Sequence, residues 1–200
     1  MSRAFPQIEM EPVYGFFHFL SFLAVGGGSV MDTAKVADAV FTHGGTAREQ
    51  EGFFLMPRGA DGMGAPEPIA PLACIPTTAG TGSEVSMAAV IKDHEEKVKL
   101  EIADFPLFPR LAILDPESTR TLPAPIAAAT GMDAMTHAIE GYVSAEWNPH
   151  GDARALHALR MIRDNLERAV EDTSDEEARG NMLVAASLAI TIQLGSVHAM

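Results

Sequence analysis

The residues of this 200-residue chain that can do chemistry are two glycine-rich loops and an acid–histidine pair. The first loop, Gly26-Gly27-Gly28-Ser29, lies in the run AVGGGSVMDTAK (24–35). Glycines let a backbone turn sharply and let a pyrophosphate come close. A helix that starts there adds free N–H groups and a partial positive charge. The run is not a Walker A loop, since no Gly-Lys-Ser/Thr follows. It also departs from the common dinucleotide fingerprint, because Met31 stands where a third glycine belongs. The second loop, PTTAGTGSE (76–84), sets the hydroxyls of Thr77, Thr78, Thr81 and Ser83 around Gly80 and Gly82. Hydroxyls and backbone amides suit ribose and phosphate oxygens. Each loop alone also reads as an ordinary polar turn. Two of them at the ends of two strands point to a nucleotide, because open α/β sheets bind ligands in the crevice outside those ends.

Asp133 and His137 stand four apart in a helical segment and so share a face. A carboxylate oxygen and an imidazole nitrogen suit Fe(II), Zn(II) or Mn(II). The plainer alternative is an ordinary i, i+4 hydrogen bond. His198 follows a buried helix and is a candidate third ligand, while Glu140 reads as a partner of the ligands or a surface residue. His43, His94, His150 and His157 read as surface or structural histidines.

The elements that must position these groups fall into two halves. Ser21 to Val25 reads as a buried strand, followed by a helix over 29–41. Residues 43–68 read as a long Gly-, Pro- and charge-rich loop. Further strands are expected over 69–75, 85–91, 97–102 and 111–114, the middle two flanking the polar turn 93–96. Such alternation favours an α/β sheet. From Pro125 the pattern is helical. Leu156, Leu159, Ile162, Leu166 and Val170 make one apolar stripe. Ser174 and Glu177 form a plausible capping box. The helix after it is apolar nearly all round from Met182 to Leu194, so it should be buried. The change of character at 116–124 is a candidate domain boundary.

Composition narrows the function. A net charge of -13 argues against nucleic acid, whose phosphates attract basic surfaces. The one cysteine, Cys74, sits in an apolar run and reads as a small buried residue, so nothing indicates an oxidising compartment. The apolar run 16–25 is too short to span a bilayer and lacks the features of a signal peptide, which leaves a cytoplasmic protein without membrane partners as the expectation.

The chain resembles the iron-containing (group III) alcohol dehydrogenases, within the dehydroquinate synthase-like superfamily. The resemblance rests on AVGGGSVMDTAK (24–35), PTTAGTGSE (76–84), AVIKDHEEKVKL (89–100), LAILDP (111–116), AATGMDAMTHAIEGYVS (128–144) and VHAM (197–200). It implies an α/β N-terminal nucleotide-binding domain with an incomplete Rossmann-like sheet over 1–120. An incomplete all-helical metal-binding domain would follow over 121–200. By the resemblance, NAD or NADP binds at Gly26, Gly27, Gly28, Ser29, Thr77, Thr78, Thr81 and Lys99. Asp133, His137 and His198 hold Fe(II), or alternatively Zn(II). The implied reaction is metal-assisted oxidation of a small alcohol, or reduction of the matching aldehyde or ketone. Ser29, Ser83 and Cys74 are not expected to be nucleophiles, and a homo-oligomer is compatible with the pattern.

Three departures from the family pattern stand out. Only some twenty residues precede the glycine loop. The chain ends before a fourth, histidine ligand. The stretch from Met182 to His198 is about one helical turn shorter than usual. These support the alternative of a truncated, catalytically inactive fragment, at most a partial nucleotide-binding module, with little or no turnover by itself. A further alternative is a zinc-dependent polyol oxidoreductase of the glycerol dehydrogenase kind.

Overall fold

The computed structural model describes residues 21–58, 67–145 and 148–193. Strand β1 (Phe22–Gly26) turns through Gly27 into helix α1 (Gly28–His43). Strands β2 (Gly52–Phe53), β3 (Leu72–Pro76), β4 (Ala88–Asp93), β5 (Val98–Ala103) and β6 (Leu111–Ala112) follow. Helices α2 (Ala124–Val143), α3 (Pro149–Glu171) and α4 (Glu176–Gln193) come last. One sheet has the order β1-β3-β6 and is parallel throughout, with Ala24 opposite Cys74 and Cys74 opposite Ala112. The other has the order β2-β5-β4. In it β4 and β5 form an antiparallel pair and β2 lies parallel to β5.

Helix α1 lies between the two sheets because it is apolar on two sides. Met31 packs with Ala24, Leu72 and Cys74 of the parallel sheet. Val36 and Ala39 pack with Ala89, Ile102 and Leu107 on the side of the mixed sheet. Burying a Val, Leu or Met side chain stabilises by about 1.5–3 kcal/mol, so both contacts help to fix the helix. The opposite face of the parallel sheet is uncovered among the described residues. Leu23 is 64% exposed, Val25 53% and Leu111 53%. The expected burial of the first strand therefore holds on one face only, since successive side chains of a strand point to opposite sides.

Several boundaries differ from the sequence pattern. The third strand begins at Leu72 rather than residue 69, and the fourth begins at Ala88, because Ser83–Val85 form a 3-10 turn instead of strand. Within the expected loop 43–68, Arg48–Gln50 make a 3-10 turn and β2 pairs with β5. The expected capping box at Ser174 is displaced by one residue. The Ser174 hydroxyl bonds Asp172, while Asp175 Oδ1 accepts the Ala178 N–H at 2.9 Å. Asp175 is the better cap because it directly precedes the helix.

The three helices meet through small residues. Gly131, Ala134, Ala138 and Gly141 of α2, and Ala155, Ala158 and Ala169 of α3, are buried. So are Ala178, Ala185, Ala186 and Ala189 of α4. On α3 the buried face is thus rotated from the expected leucine stripe: Ile162 is fully buried, but Leu156 is 40% exposed. Small side chains let helix axes approach, and the larger ones then fill the flanks. The expected burial of the last helix holds at Met182, Leu183, Ala185, Ala186, Ala189 and Ile192, while Leu188 and Ile190 are half-buried, Val184 is exposed and Leu194 lies outside the described residues.

Gly82 ties the second glycine loop to this helical layer. It has φ +61°, and a Cβ there would overlap Ile190 Cγ2 and stand 3.0 Å from the Ala186 carbonyl. Gly82→Ala combines a left-handed backbone with overpacking, so it is expected to destabilise by about 2–4 kcal/mol. Denaturant unfolding of the two proteins measures this.

Candidate cofactor and metal site

The two glycine loops lie directly against each other. Gly26 ends β1 and Gly28 starts α1, with Gly27 at the cap position and no side chain capping the helix. The Val30 and Met31 N–H groups bond back to the Gly27 carbonyl, and the N–H groups that precede them at the helix start are suited to an anion. The Thr77 N–H donates to the Gly26 carbonyl at 2.9 Å. A Cβ on Gly27 would touch the Thr78 side chain at 3.4 Å. A Cβ on Gly28 would stand 2.7 Å from Thr81, so only glycine allows this approach. The structure therefore brings Gly26, Gly27, Gly28, Thr77, Thr78 and Thr81 together, with Ser29 exposed at the helix start. Lys99 stands apart from them. It is exposed on β5, opposite Lys92 of β4.

A buried polar network stands behind the loops, and the sequence reading assigned it no role. Lys35, fully buried, donates from Nζ to Ser83 Oγ at 3.0 Å, to the Ser86 carbonyl at 2.9 Å and to the Ala88 carbonyl at 2.8 Å. Ser83 Oγ donates onward to Asp32 Oδ1, and Asp32 Oδ2 accepts the Val90 N–H at 3.0 Å. Burial lowers the Lys35 pKa to about 8, against the raising influence of Asp32, Cys74 and Glu84. Burial likewise pushes the Cys74 thiol up to about 11, which keeps it protonated at neutral pH and fits the expectation that it is no nucleophile. The available signal was an Asp-x-x-Lys spacing with the lysine on an otherwise apolar side of α1.

Glu84, next to Ser83, faces the other way. Its carboxyl is buried and accepts a hydrogen bond from Ser187 of α4. Burial raises its pKa, opposed first by the Ser187 bond. Ala79 of the same loop belongs to the helical core with Ala134 and Ile162. The loop 76–86 is thus held by α1 on one side and by the helices on the other.

Asp133 and His137 lie together on α2 at a partly open surface. Their side chains are 44% and 20% exposed, with His137 Nε2 at 3.9 Å from Asp133 Oδ1. That is too long for a hydrogen bond, so the plainer reading of a direct i, i+4 bond does not hold. His137 Nδ1 is buried and has no partner among the described residues. An acid and an imidazole that leave each other unbonded fit as two donors to a divalent ion of the Fe(II) or Zn(II) type. Among the described residues no group of three or more His, Cys, Asp or Glu could hold a metal. His198 lies outside the described residues, as do residues 1–19.

A glycine-loop α/β layer joined to a helical layer with an acid–histidine pair defines the class of protein, and comparison with known proteins defines the family. The profile described as iron-containing alcohol dehydrogenase matches residues 15–116, and that of the family's C-terminal region matches residues 127–200. The chain belongs to the iron-containing alcohol dehydrogenase family. It is 41% identical over 184 residues to alcohol dehydrogenase 4 of Schizosaccharomyces pombe, covering 90% of this chain and 42% of that protein. It is 40% identical to the NAD-dependent methanol dehydrogenase of Bacillus methanolicus, covering 84% of this chain and 42% of that one. Among solved structures, 1,3-propanediol oxidoreductase superposes with a TM-score of 0.78 at 38% identity, over 86% of this chain and 43% of its own. The sulfoacetaldehyde reductase of Bifidobacterium kashiwanohense, solved with NAD+, gives 0.75 at 33% identity, over 89% and 49%. The chain spans less than half the length of these relatives. Its partial parallel sheet and helical layer correspond to that share of the family's two-domain fold.

Ser187→Ala removes the side-chain hydrogen bond of the buried Glu84 carboxyl. The expected cost is about 1.5–3 kcal/mol, the range for hydrogen bonds to charged groups. The Ser187 bond lowers the Glu84 pKa and so favours the ionised form. Its loss should therefore matter more at pH 8 than at pH 5, as read from melting temperatures of both proteins at the two pH values.

Proposed function

We propose that this chain is the cofactor-binding and metal-binding part of an NAD(P)-dependent, metal-assisted oxidoreductase of small alcohols and the matching aldehydes or ketones. The observation that carries the reading is the close approach of Gly28 and Thr81, which sets a free helix N-terminus beside a row of hydroxyls. In this reading residues 1–120 and 121–200 are two partial domains. The N–H groups at Gly27, Gly28 and Ser29 bind the pyrophosphate, with Gly26 forming the turn. Thr77, Thr78 and Thr81 line the nicotinamide side, and Lys99 contacts the cofactor. Asp133, His137 and His198 are the metal donors. When bound, the nicotinamide supplies hydride transfer and the divalent ion, Fe(II) or Zn(II), supplies Lewis acidity toward the substrate oxygen. The residues of the chain bind and orient; no side chain is required as a nucleophile. We extend the reading to a cytoplasmic setting, on the single buried, protonated thiol of Cys74, and to association with further copies.

A second reading, a partial nucleotide-binding module without turnover, draws on the face at Leu23, Val25 and Leu111 that is uncovered among the described residues. Turnover of ethanol or 1,3-propanediol with NAD+ and Fe(II) separates the two. Rates of about 1–10³ per second support the enzyme, while NADH binding without turnover supports the module.

The binding predictions are open to calorimetry. The chain is expected to bind NADH. Gly28→Val, which drives a branched side chain into Thr81, should weaken that binding by about tenfold or more, some 1.4 kcal/mol. Asp133→Ala should weaken Zn(II) or Co(II) binding by at least about tenfold on the same scale and leave NADH binding unchanged. Metal binding indifferent to Asp133 would exclude that residue as a ligand.

A further inference from the structure

We propose that Lys35 is a positioning residue: its buried side-chain nitrogen holds the 77–88 segment against the glycine loop and so sets where Thr81 stands relative to Gly28. Its part in cofactor binding rests on the reading given above; its part in shaping the crevice does not.

The geometry is unusual for a lysine. An ammonium has three N–H donors. Here four acceptors surround it, Ser83 Oγ, the Ser86 carbonyl, Ser86 Oγ and the Ala88 carbonyl. Every one lies in or just after the second glycine loop, and none lies on α1. The hydrogen bonds therefore join two pieces of chain about fifty residues apart, while within α1 Nζ stands 3.8 Å from Asp32 Oδ1 as an ion pair. The direction of the network is set as well. Because Ser83 Oγ accepts from Lys35, its one proton goes to Asp32, which also receives the Val90 N–H. One turn of α1 thus grips the segment at Ser83, Ser86, Ala88 and Val90. Thr81 is tied to Ser83 itself, since its Oγ1 accepts the Ser83 N–H at 3.3 Å. Moving Ser83 moves the threonine that touches Gly28.

A mere filler of that space would be apolar. A buried charge is costly unless it is bonded, and removing its partner leaves buried carbonyls unpaired. Lysine at this site gives little net stability yet defines one arrangement of the loop.

The titratable groups near enough to act on Nζ are Asp32 on α1, Cys74 on β3 and, although its carboxyl points toward α4, Glu84 on the 3-10 turn. With the segment closed the Lys35 pKa is about 8, against 10.5 for a solvated lysine. The closed state therefore binds fewer protons than an opened one between these values. Raising the pH through that window favours closure, and lowering it through 8 removes the gain.

The test is amide hydrogen exchange on the whole chain without ligand, comparing it with Lys35→Met, with NADH titrated into both afterwards. In Lys35→Met, amides of residues 77–90 should exchange at least about tenfold faster, while those of α3 stay unchanged. In the unsubstituted chain, the corrected opening of this segment should fall by at least about tenfold from pH 8 to 10.5, and the variant should lack this dependence. Equal exchange in the two proteins, or a change spread evenly over the chain, would overturn the proposal. If Lys35→Met fails to fold, Ser83→Ala decides, since it removes one acceptor of Nζ and the donor to Asp32: unchanged exchange over residues 77–90 overturns the role. NADH affinity about tenfold lower in the variant supports the link to the cofactor. If the unsubstituted chain binds no NADH, the cofactor reading fails, while the exchange comparison still decides Lys35.

Discussion

A lysine ammonium enclosed between two sheets is the constraint on which the rest of this structure depends. Lys35 is fully buried, and its hydrogen bonds run only to Ser83, Ser86 and Ala88, in and just after the second glycine loop. A buried charge is tolerated only where its donors are satisfied. The chain must therefore bring Ser83, Ser86 and Ala88 to α1 whenever it folds. That requirement lays the mixed sheet against one side of α1, while Met31 keeps the parallel sheet on the other.

The clamped loop then joins two layers that share little else. Ser83 looks toward α1 and Glu84 toward Ser187 of α4. Ala79 enters the helical core, and Gly82 lies against Ile190. A segment of about ten residues is thus fixed from both sides, and its threonines are set at the helix N-terminus. The chemistry of the crevice comes from loops; its precision comes from buried polar bonds and from helices that approach through glycine and alanine. The Asp133–His137 pair sits on one of those helices, so its place relative to the loop is set by the same packing.

Much of this was legible in the sequence, and the reason differs by element. The strand–glycine–helix unit at 22–43 and the helices after residue 124 are written in local patterns, namely turn residues and 3.6-residue periodicity. Family membership was legible for the same reason, since the two loops and the Asp-x-x-x-His spacing are short contiguous strings. The details that went astray depend on neighbours distant in sequence. The leucine stripe of α3 was rotated because alanines, not leucines, face the close helix contacts. Residues 85–87 left the strand because Lys35 draws Ser83 and Ser86 into a turn beside it. The first strand, apolar throughout, was covered on one side only.

The sequence by itself determined which groups could act: glycines able to admit a phosphate, threonines beside them, and an acid and a histidine one helical turn apart. These are properties of residue type and spacing, which the backbone expresses locally. Only the tertiary structure decided that Gly28 and Thr81 touch and that Asp133 and His137 leave each other unbonded. It alone made a lysine on α1 an interior residue rather than a surface one. Burial and pairing are set by chain segments some fifty residues away, and no local pattern records which of them will fold over a given side chain.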